Sequence, residues 1–302
     1  MCYTNNGGLM INWKEVELND RDQINSLICA SGCHSADYCF ANLYIWREEY
    51  KPLIFFNGNR LLVGNPEWKM YAYPKGDGDV VPSIELLLEE AHSHGDKLVI
   101  RGLTDRTLDE FLPLYGDRFE ITEDRDDADY IYSADKLCNL PGRYLSSKRN
   151  HINKFERAGD WEFTRLSPEL FDTARTFIGK FYEEKDDSSL VSEAIAIDEM
   201  FKNYEALGFL GGLLYQNGEP VAFTAGTRLD NEVFDVHFEK ALPTVEGAYT
   251  MINREFARLV VSEFPEIGAF NREEDMGLPG LRKAKLSYHP DILLMKYYAT
   301  EK

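Results

Sequence analysis

The sequence lacks any long apolar run. No stretch approaches the roughly 18–20 consecutive apolar residues that a bilayer-spanning helix needs. Residues 1–10 have neither a basic start nor an apolar core, so they do not resemble an export signal. These two absences predict a protein without a transmembrane segment, located in the cytoplasm.

Positive charge is also scarce. The 302 residues contain 33 Lys and Arg against 52 Asp and Glu, which gives a formal net charge of −19. An acidic chain repels phosphate backbones on average, so a nucleic acid could bind only at a local basic patch. The composition therefore disfavours tRNA as a partner without excluding it.

Paired cysteines and the motifs of common nucleophiles are missing as well. The five cysteines are an odd number in a chain without an export signal, which predicts free thiols. Four potential metal ligands lie close together in the sequence: Cys29, Cys33, His34 and Cys39. No Cys-x-x-Cys pair is among them, so we expect buried thiols and no metal. Neither a Gly-x-Ser-x-Gly motif nor a Walker turn occurs.

The chain does contain enough apolar mass for a large core. Hydrophobic residues make up 44% of it and aromatic residues 13%, and the length suits about two domains. Each half reads as helices, an antiparallel meander, and then helix, strand, helix and strand, an order that suggests duplication of one unit. Asn57-Gly58 and Asn217-Gly218 predict hairpin turns in the two meanders. We expect an N-terminal domain over 11–141 and a C-terminal domain over 142–302.

Polar stretches between the predicted elements indicate loops. The acidic stretch Glu123–Asp127 separates two predicted strands, and Asp186–Ser189 separates two predicted helices. The glycine-rich stretch Tyr73–Asp79 lies between a predicted strand and a predicted helix, where an anion site is physically feasible. Asp77 and Asp79 would oppose a phosphate there, so a plain turn is the favoured interpretation.

One basic run, Tyr144–Phe155, occurs in the acidic chain. It is predicted to be a helix, because Leu145, Ile152 and Phe155 recur on one side of it. The other side then carries four cationic or titratable residues: Lys148, Arg149, His151 and Lys154. Two interpretations stay open, a charged linker helix and a surface that faces phosphate.

The segment Phe270–Pro290 concentrates carboxylates, cations, a tyrosine and a histidine between two predicted strands. Asn271 and Asp275 flank a carboxylate pair at the exit of the first strand. Strands fix position while loops expose polar groups, so this arrangement predicts a functional site. The alternative is a solvated loop and a surface helix with ordinary ion pairs. At helical spacing, one face would carry Arg282, Lys285 and His289.

These two runs carry a family resemblance. Ser-x-Lys-Arg-Asn-x-Ile-Asn-Lys-Phe within Tyr144–Phe155 and Asn-Arg-Glu-Glu-Asp-Met-Gly-x-x-Gly-Leu-Arg-x-x-Lys-x-Ser-Tyr-x-Pro over Asn271–Pro290 resemble a bacterial family of unknown function. That family is similar to the C-terminal catalytic domain of phosphatidylglycerol lysyltransferases and, more remotely, to the Fem peptidyl-aminoacyl transferases. The resemblance begins near Ile11. It implies an α+β (α/β) fold of two tandem GNAT-like units, each a mixed, mostly antiparallel sheet flanked by helices.

The resemblance also implies which residues act. An amine or hydroxyl would attack a donor thioester or ester, Lys285 would steady negative charge, and Tyr288 would protonate the leaving group. Asn271 and Asp275 would orient the nucleophile or accept its proton. Five residues would bind substrate: Lys148, Arg149, Asn150, Glu273 and Arg282. The first two of these would hold a phosphate.

The turn that would bind a donor's pyrophosphate is Thr244–Tyr249. Acetyl-CoA enzymes of the GNAT fold place an Arg/Gln-x-x-Gly-x-Gly/Ala turn there, at a helix N-terminus. This chain keeps Gly247 and Ala248 as candidate cofactor-binding residues, but Glu246 lies beside them and should repel pyrophosphate. The implied chemistry requires no cofactor. Its co-substrate would be acyl-CoA or aminoacyl-tRNA, and its acceptor a small molecule, a lipid or a peptide.

The sequence therefore predicts an acyl- or aminoacyl-transferase. The alternative is a non-catalytic ligand-sensing or scaffold protein that keeps the fold without the chemistry. The departure from the pyrophosphate turn motivates that alternative.

Overall fold

The computed structural model describes residues 2–3, 9–183 and 190–302. The predicted loop Asp186–Ser189 lies outside these ranges, as does most of the segment 1–10. The strands are β1 (Cys2–Tyr3), β2 (Leu9–Met10), β3 (Lys14–Glu15), β4 (Leu53–Asn57), β5 (Arg60–Asn65), β6 (Met70–Ala72), β7 (Lys75–Gly76), β8 (Val99–Leu103), β9 (Phe119–Ser133), β10 (Trp161–Arg165), β11 (Leu210–Gln216), β12 (Glu219–Arg228), β13 (Val233–Ala241), β14 (Ala269–Asn271) and β15 (Ile292–Glu301).

Helices alternate with these strands along the chain. The α-helices are α1 (Arg21–Ser31), α2 (Phe40–Ile45), α3 (Arg47–Tyr50), α4 (Val81–Ser93), α5 (Asp105–Tyr115), α6 (Ala134–Asn139), α7 (Ser146–Arg157), α8 (Phe171–Glu183), α9 (Leu190–Lys202), α10 (Tyr204–Leu207), α11 (Ala248–Glu263) and α12 (Pro279–Leu286). Short 3-10 helices span Leu18–Asp20, Pro66–Trp68 and Pro168–Leu170. None of the helices in the described part of the chain combines the length and the apolarity that crossing a bilayer requires.

The chain forms two compact units. The N-terminal unit comprises Met1–Asp129, Glu274–Arg282 and Leu293–Lys302, and the C-terminal unit comprises Tyr130–Glu273 and Lys283–Ile292. The last thirty or so residues therefore alternate between the units. The predicted boundary between residues 141 and 142 divides the chain once, so it does not describe segments that return to the N-terminal unit. Packing, and not chain order, defines a compact unit.

The N-terminal unit contains a mixed sheet with strand order β15-β8-β6-β5-β4-β3, and β7 also pairs with β5. All neighbours are antiparallel except β6 and β8. The hairpin predicted at Asn57-Gly58 is confirmed, since it joins β4 and β5. The apolar core of the N-terminal unit includes the fully buried residues Leu62, Ile84, Ile100 and Phe111. Truncating such a phenylalanine to alanine typically costs about 3–5 kcal/mol of stability.

The prediction of a solvated loop at Glu123–Asp127 is wrong, because this stretch lies inside the single strand β9. The carboxylates are accommodated by hydrogen bonds that the local sequence does not reveal. Tyr298 Oη donates to Asp124 and, at 3.1 Å, to Asp127. The Asp124 carboxylate also accepts the backbone N–H of Asp126 at 3.0 Å. A strand can therefore hold an acidic run when a distant tyrosine and the backbone supply donors.

The strands of the C-terminal unit are ordered β10-β11-β12-β13-β14, followed by residues 131–133 of β9. Only the pairing of β13 with β14 is parallel. The hairpin predicted at Asn217-Gly218 joins β11 and β12, as expected. Helix α11 packs on β11, β12 and β13, and α8 also packs on β12 and β13. The predicted class, α+β with mixed and mostly antiparallel sheets flanked by helices, is thus confirmed.

Candidate active site

Lys148 lies in the first turn of α7, within the predicted basic helix. Its Nζ atom is 3.8 Å from the centroid of the Tyr288 ring, a cation–π contact. Burial and, to a smaller extent, the Arg272 charge lower the pKa of Lys148 to about 8, against the opposing effect of Glu239. An amine with this pKa can accept and return a proton near neutral pH, which an ordinary lysine does poorly.

Arg272 directly follows β14, and its side chain also contacts the Tyr288 ring. Its Nη2 donates to Glu239 Oε1 at 2.7 Å, and its guanidinium carbon is 5.2 Å from the Tyr288 ring centroid. The second oxygen of Glu239 accepts from Asn253 Nδ2 at 3.1 Å. These five residues form what we call the Lys148 cluster: Lys148, Glu239, Asn253, Arg272 and Tyr288. Lys148 lies in α7, Asn253 in α11 and Glu239 in β13, whereas Arg272 follows β14 and Tyr288 follows α12.

Hydrogen bonding in the Lys148 cluster is incomplete. Arg272 Nη1 and Asn253 Oδ1 are buried, and no described residue accepts from the first or donates to the second. Buried polar atoms without partners cost about 1–3 kcal/mol each, so native folds seldom keep them without a reason. A polar substrate could accept a hydrogen bond from Arg272 Nη1 and donate one to Asn253 Oδ1 beside a lysine of lowered pKa.

Tyr288 is 5% exposed, and burial is the main reason that its pKa rises to about 12. Glu239 adds to the rise, whereas Arg272 and a hydrogen bond with Thr250 oppose it. The phenol is therefore neutral at physiological pH and retains its proton. Such a group can donate a proton to an alkoxide-like leaving oxygen.

Lys285 lies next to the Lys148 cluster, and its ammonium group donates to backbone carbonyls. Nζ donates to the carbonyl oxygens of Arg272 at 2.5 Å and Glu273 at 3.1 Å, and it is 5.7 Å from the Tyr130 ring centroid. Tyr132 Oη in turn donates to the Lys285 carbonyl at 2.8 Å. Lys285 thus fixes the backbone that carries Arg272.

Asn271 and Glu273 form a turn at the end of β14. Asn271 is fully buried, and its Oδ1 accepts the backbone N–H of Glu273 at 2.7 Å. Glu273 Oε1 lies 3.3 Å from His237 Nδ1, and His237 Nε2 lies 2.8 Å from Thr227 Oγ1. Asp235 is also near His237, at 3.6 Å from Nδ1. These polar groups lie on β12, on β13 and directly after β14.

Asp275 and Arg282 belong to the N-terminal unit and form a different cluster. Arg282 donates to both carboxylate oxygens of Asp275, at 2.8 Å and 2.7 Å, and Arg125 donates at 3.2 Å. The Gly277 N–H adds a donor at 3.0 Å. Arg282 also pairs with Asp126 at 2.5 Å. We call Arg125, Asp126, Asp275 and Arg282 the Asp275 cluster.

The remaining predicted residues of α7 lie outside the Lys148 cluster. Arg149 Nη1 donates to the carbonyl oxygens of Leu140 and, at 2.7 Å, Gly142, so this guanidinium secures the chain after α6. Asn150 is exposed. Within the described residues, the structure brings Lys148 and Tyr288 together and places neither Arg149 nor Asn150 with them.

Gly247 and Ala248 begin α11, with Gly247 at a φ of 89°. A Cβ atom on Gly247 would lie 2.3 Å from the carbonyl oxygen of His151 in α7. Glu246 beside it pairs with Lys154 at 2.7 Å. The backbone of α7 therefore lies against the start of α11, where a GNAT enzyme would bind pyrophosphate.

Sequence reasoning missed Glu239, Asn253 and Arg272 as members of the site. One signal was present: Asp235, His237 and Glu239 are polar residues at alternating positions of an otherwise largely apolar predicted strand. Polar residues in a buried strand indicate a polar site, because an apolar core would not accommodate them. In the structure a register shift between β12 and β13 places Asp235 and Glu239 on opposite faces of the sheet.

Comparison with known proteins identifies the family of this chain. The family model described as "Phosphatidylglycerol lysyltransferase, C-terminal" matches residues 32–300. A conserved protein of unknown function from Bacteroides thetaiotaomicron, solved as a crystal structure, is similar at 34% identity with a TM-score of 0.89, covering 97% of this chain and 100% of that chain.

More distant structures share the fold. L-PGS from Bacillus licheniformis is 16% identical with a TM-score of 0.66, covering 97% of this chain and 94% of its own. A tandem GNAT protein from the clavulanic acid biosynthesis pathway is 10% identical with a TM-score of 0.51, covering 96% of this chain and 98% of its own. At such identities the likeness concerns fold alone, and it confirms the prediction of tandem GNAT-like units.

A curated relative is matched over part of its length. It is an uncharacterized protein of Mycoplasmoides gallisepticum, 24% identical over 173 residues, which are 56% of this chain and 54% of that protein. The matched region thus spans about half the length of that relative.

Proposed function

The chain belongs to the family of phosphatidylglycerol lysyltransferase C-terminal domains, and on that premise we propose that it transfers an acyl or aminoacyl group from an activated ester donor to an amine or hydroxyl acceptor. The observation that carries this proposal is the Lys148 amine, with a pKa lowered to about 8, beside the neutral Tyr288 phenol and the Arg272–Glu239 pair. Family and fold together support the reaction class.

Each member of the Lys148 cluster has a role in this scheme. Neutral Lys148 accepts the proton of the attacking amine or hydroxyl, while the nucleophile bonds to the donor carbonyl carbon. Arg272 Nη1, which no described residue engages, stabilises the oxyanion that develops on that carbonyl. The bond from carbon to the leaving oxygen then breaks, and Tyr288 supplies the proton that this oxygen takes.

An aminoacyl ester is the donor that we favour over acyl-CoA. Pyrophosphate binding in GNAT enzymes needs bare backbone N–H groups at the start of a helix. Here the His151 carbonyl lies against Gly247, and Glu246 adds a negative charge beside it. The proposed donor is therefore an aminoacyl-tRNA. Because the chain carries a charge of −19, its contacts with tRNA must be local and salt-sensitive.

The donor can be tested without knowing the acceptor. Lysyl-tRNA, uncharged tRNA and acetyl-CoA are each titrated against the protein by calorimetry, and lysyl-tRNA is then mixed with vesicles that contain phosphatidylglycerol. We expect lysyl-tRNA to bind and its label to leave the tRNA faster with protein than without. Binding of acetyl-CoA in place of lysyl-tRNA would contradict the choice of donor.

Non-catalytic binding is the second candidate. It is favoured by the internal hydrogen bonds of Lys285 and Arg149, which hold backbone carbonyls. Under this alternative, lysyl-tRNA or another ester binds and stays intact, and a variant at Lys148 changes affinity only. Measuring donor binding and donor breakdown on the same samples separates the two functions.

A further inference from the structure

The N-terminal unit contains a cavity of about 310 Å³ that the proposed transfer reaction does not use. Its wall comes from the end of α1, from β5, from the glycine-rich turn at 73–78 and from the first half of α5. Among the lining residues are Cys33, Arg60, Lys75, Arg106 and Glu110. This volume is near the lower end of the range of about 300–1,000 Å³ found for small-molecule sites, so its ligand is small.

Lys75 is a buried cation with weak partners. The residue is 3% exposed, and its Nζ atom lies 3.4 Å from the Gly102 carbonyl oxygen and 3.8 Å from Cys33 Sγ. Charge-assisted hydrogen bonds of an ammonium are normally about 2.7–2.9 Å long, so neither contact uses a donor well. The ammonium also lies 5.5 Å from the Tyr38 ring centroid and interacts electrostatically with Asp37, which accepts a hydrogen bond from Lys296.

Arg60 stiffens the wall and leaves one donor unused. Nη1 donates to the Pro74 carbonyl at 3.2 Å, and Nη2 donates to Gly78 and, at 2.7 Å, to Glu110. Arg60 Nε is buried, and no described residue accepts from it. The second oxygen of Glu110 accepts from Tyr73 Oη at 2.7 Å, so that carboxylate is satisfied inside the wall.

The aspartates of the turn do not cancel this positive charge. Asp79 is not among the lining residues, and its Oδ1 accepts the Val81 N–H at 3.0 Å, at the start of α4. Asp77 lines the cavity but is exposed, so water screens its charge. Lys75 is a buried cation whose hydrogen bonds are long, and Arg106 adds a second, exposed cation.

We propose that this cavity binds a small organic anion, whose carboxylate or phosphate oxygens accept hydrogen bonds from Lys75. The observations that support the site are the cavity volume, the buried ammonium with long hydrogen bonds and the unused Arg60 Nε in the same wall. The site is independent of the Lys148 cluster, since all of its residues belong to the N-terminal unit.

Cys33 provides a built-in reporter because its thiol lines the cavity beside Lys75. The native protein is labelled in parallel with iodoacetate, an anion, and with iodoacetamide, its neutral analogue, and the products are quantified by peptide mass spectrometry. Cys29, which is half-buried on α1, is the reference thiol in the same protein. We expect the iodoacetate-to-iodoacetamide rate ratio to be about tenfold larger at Cys33, the value of one charge-assisted hydrogen bond.

Protection identifies the chemistry of the anion. Inorganic phosphate and acetate are added separately, and the one that resembles the ligand should slow labelling of Cys33 by iodoacetamide while leaving Cys29 unchanged. Equal rate ratios at the two cysteines, or failure of both reagents to reach Cys33 in the native protein, would overturn the proposal.

Lys75→Met removes the charge while keeping an unbranched side chain. We expect the preference for iodoacetate at Cys33 to disappear, whereas Lys69→Met, a control at an exposed lysine paired with Asp96 at 2.6 Å, keeps it. If Lys75→Met does not fold by circular dichroism, the labelling ratios and phosphate protection of the unaltered protein still decide the question. A folded Lys75→Met protein that retains the preference would refute the role of Lys75.

Discussion

The Lys148 cluster and the Asp275 cluster are both ionic, and the sequence predicted functional residues in each. In the Asp275 cluster the fully buried Asp275 carboxylate accepts hydrogen bonds from two arginines and a backbone N–H, so its charge is paired. In the Lys148 cluster the lysine pKa is lowered and two buried polar atoms find no partner among the described residues. The difference shows that satisfied charges organise a fold, whereas strained or unsatisfied ones indicate chemistry.

The largest expected effect comes from Lys148→Met. Removing the proton acceptor should lower kcat by about 100-fold or more, the usual contribution of a general base. Lys154→Met is the matched control on the same helix, since Lys154 is exposed and pairs with Glu246. Both variants are assayed for breakdown of lysyl-tRNA. Equal activity of the two would remove Lys148 from the mechanism.

Asp275→Asn should separate stability from activity. The substitution keeps the shape but loses charged hydrogen bonds, so we expect about 2 kcal/mol less stability by urea denaturation. Asp126→Asn, at the exposed end of the same cluster, should cost well under 1 kcal/mol, as surface pairs do. kcat of the folded Asp275→Asn protein should stay within about twofold of the unaltered protein. A much larger loss of kcat in a stable variant would show that the Asp275 cluster takes part in catalysis.

Gly247→Ala tests the contact between α7 and α11. A side chain at this positive φ costs about 1–2 kcal/mol, and the close His151 carbonyl adds to that cost. Gly218→Ala is the control, because Gly218 has a φ of 83° with open space around it and should show backbone strain alone. Unfolding free energies are compared by urea titration. Equal losses of unfolding free energy in the two variants would mean that the contact of α7 with residue 247 does not restrict its side chain.

The smallest effect is a pH dependence. Below its pKa Lys148 is protonated and cannot accept a proton, so kcat/KM should fall tenfold per pH unit below about 8 and level off above it. Each tenfold step corresponds to about 1.4 kcal/mol. The profile is recorded with lysyl-tRNA over a range in which the protein stays folded. A flat profile through this range would argue against Lys148 as the base.

The sequence predicted the order of elements, both hairpins and the basic helix, because turn residues and apolar spacing are local signals. It did not predict β9 as one strand, since Tyr298, which binds two of its carboxylates, is far away in sequence. Lys148 and Tyr288 were chosen as site residues, but the role of Arg149 was not foreseen, because its partners are backbone carbonyls. Such partners have no side-chain signature in a sequence.

The same limit explains the missing members of the Lys148 cluster. Glu239, Asn253 and Arg272 come from β13, α11 and the end of β14, and only the folded sheet brings them together. The polar alternation along β13 was visible beforehand. Its meaning depends on which face of the strand is buried, and that depends on tertiary packing.

NMR of the protein labelled with isotope-enriched lysine measures the titration of the Lys148 amine directly. The Lys148 signal, assigned by its loss in Lys148→Met, should titrate with a pKa of about 8. A Lys148 pKa near the unperturbed 10.5 would contradict both the proposed base and the contrast between the two clusters.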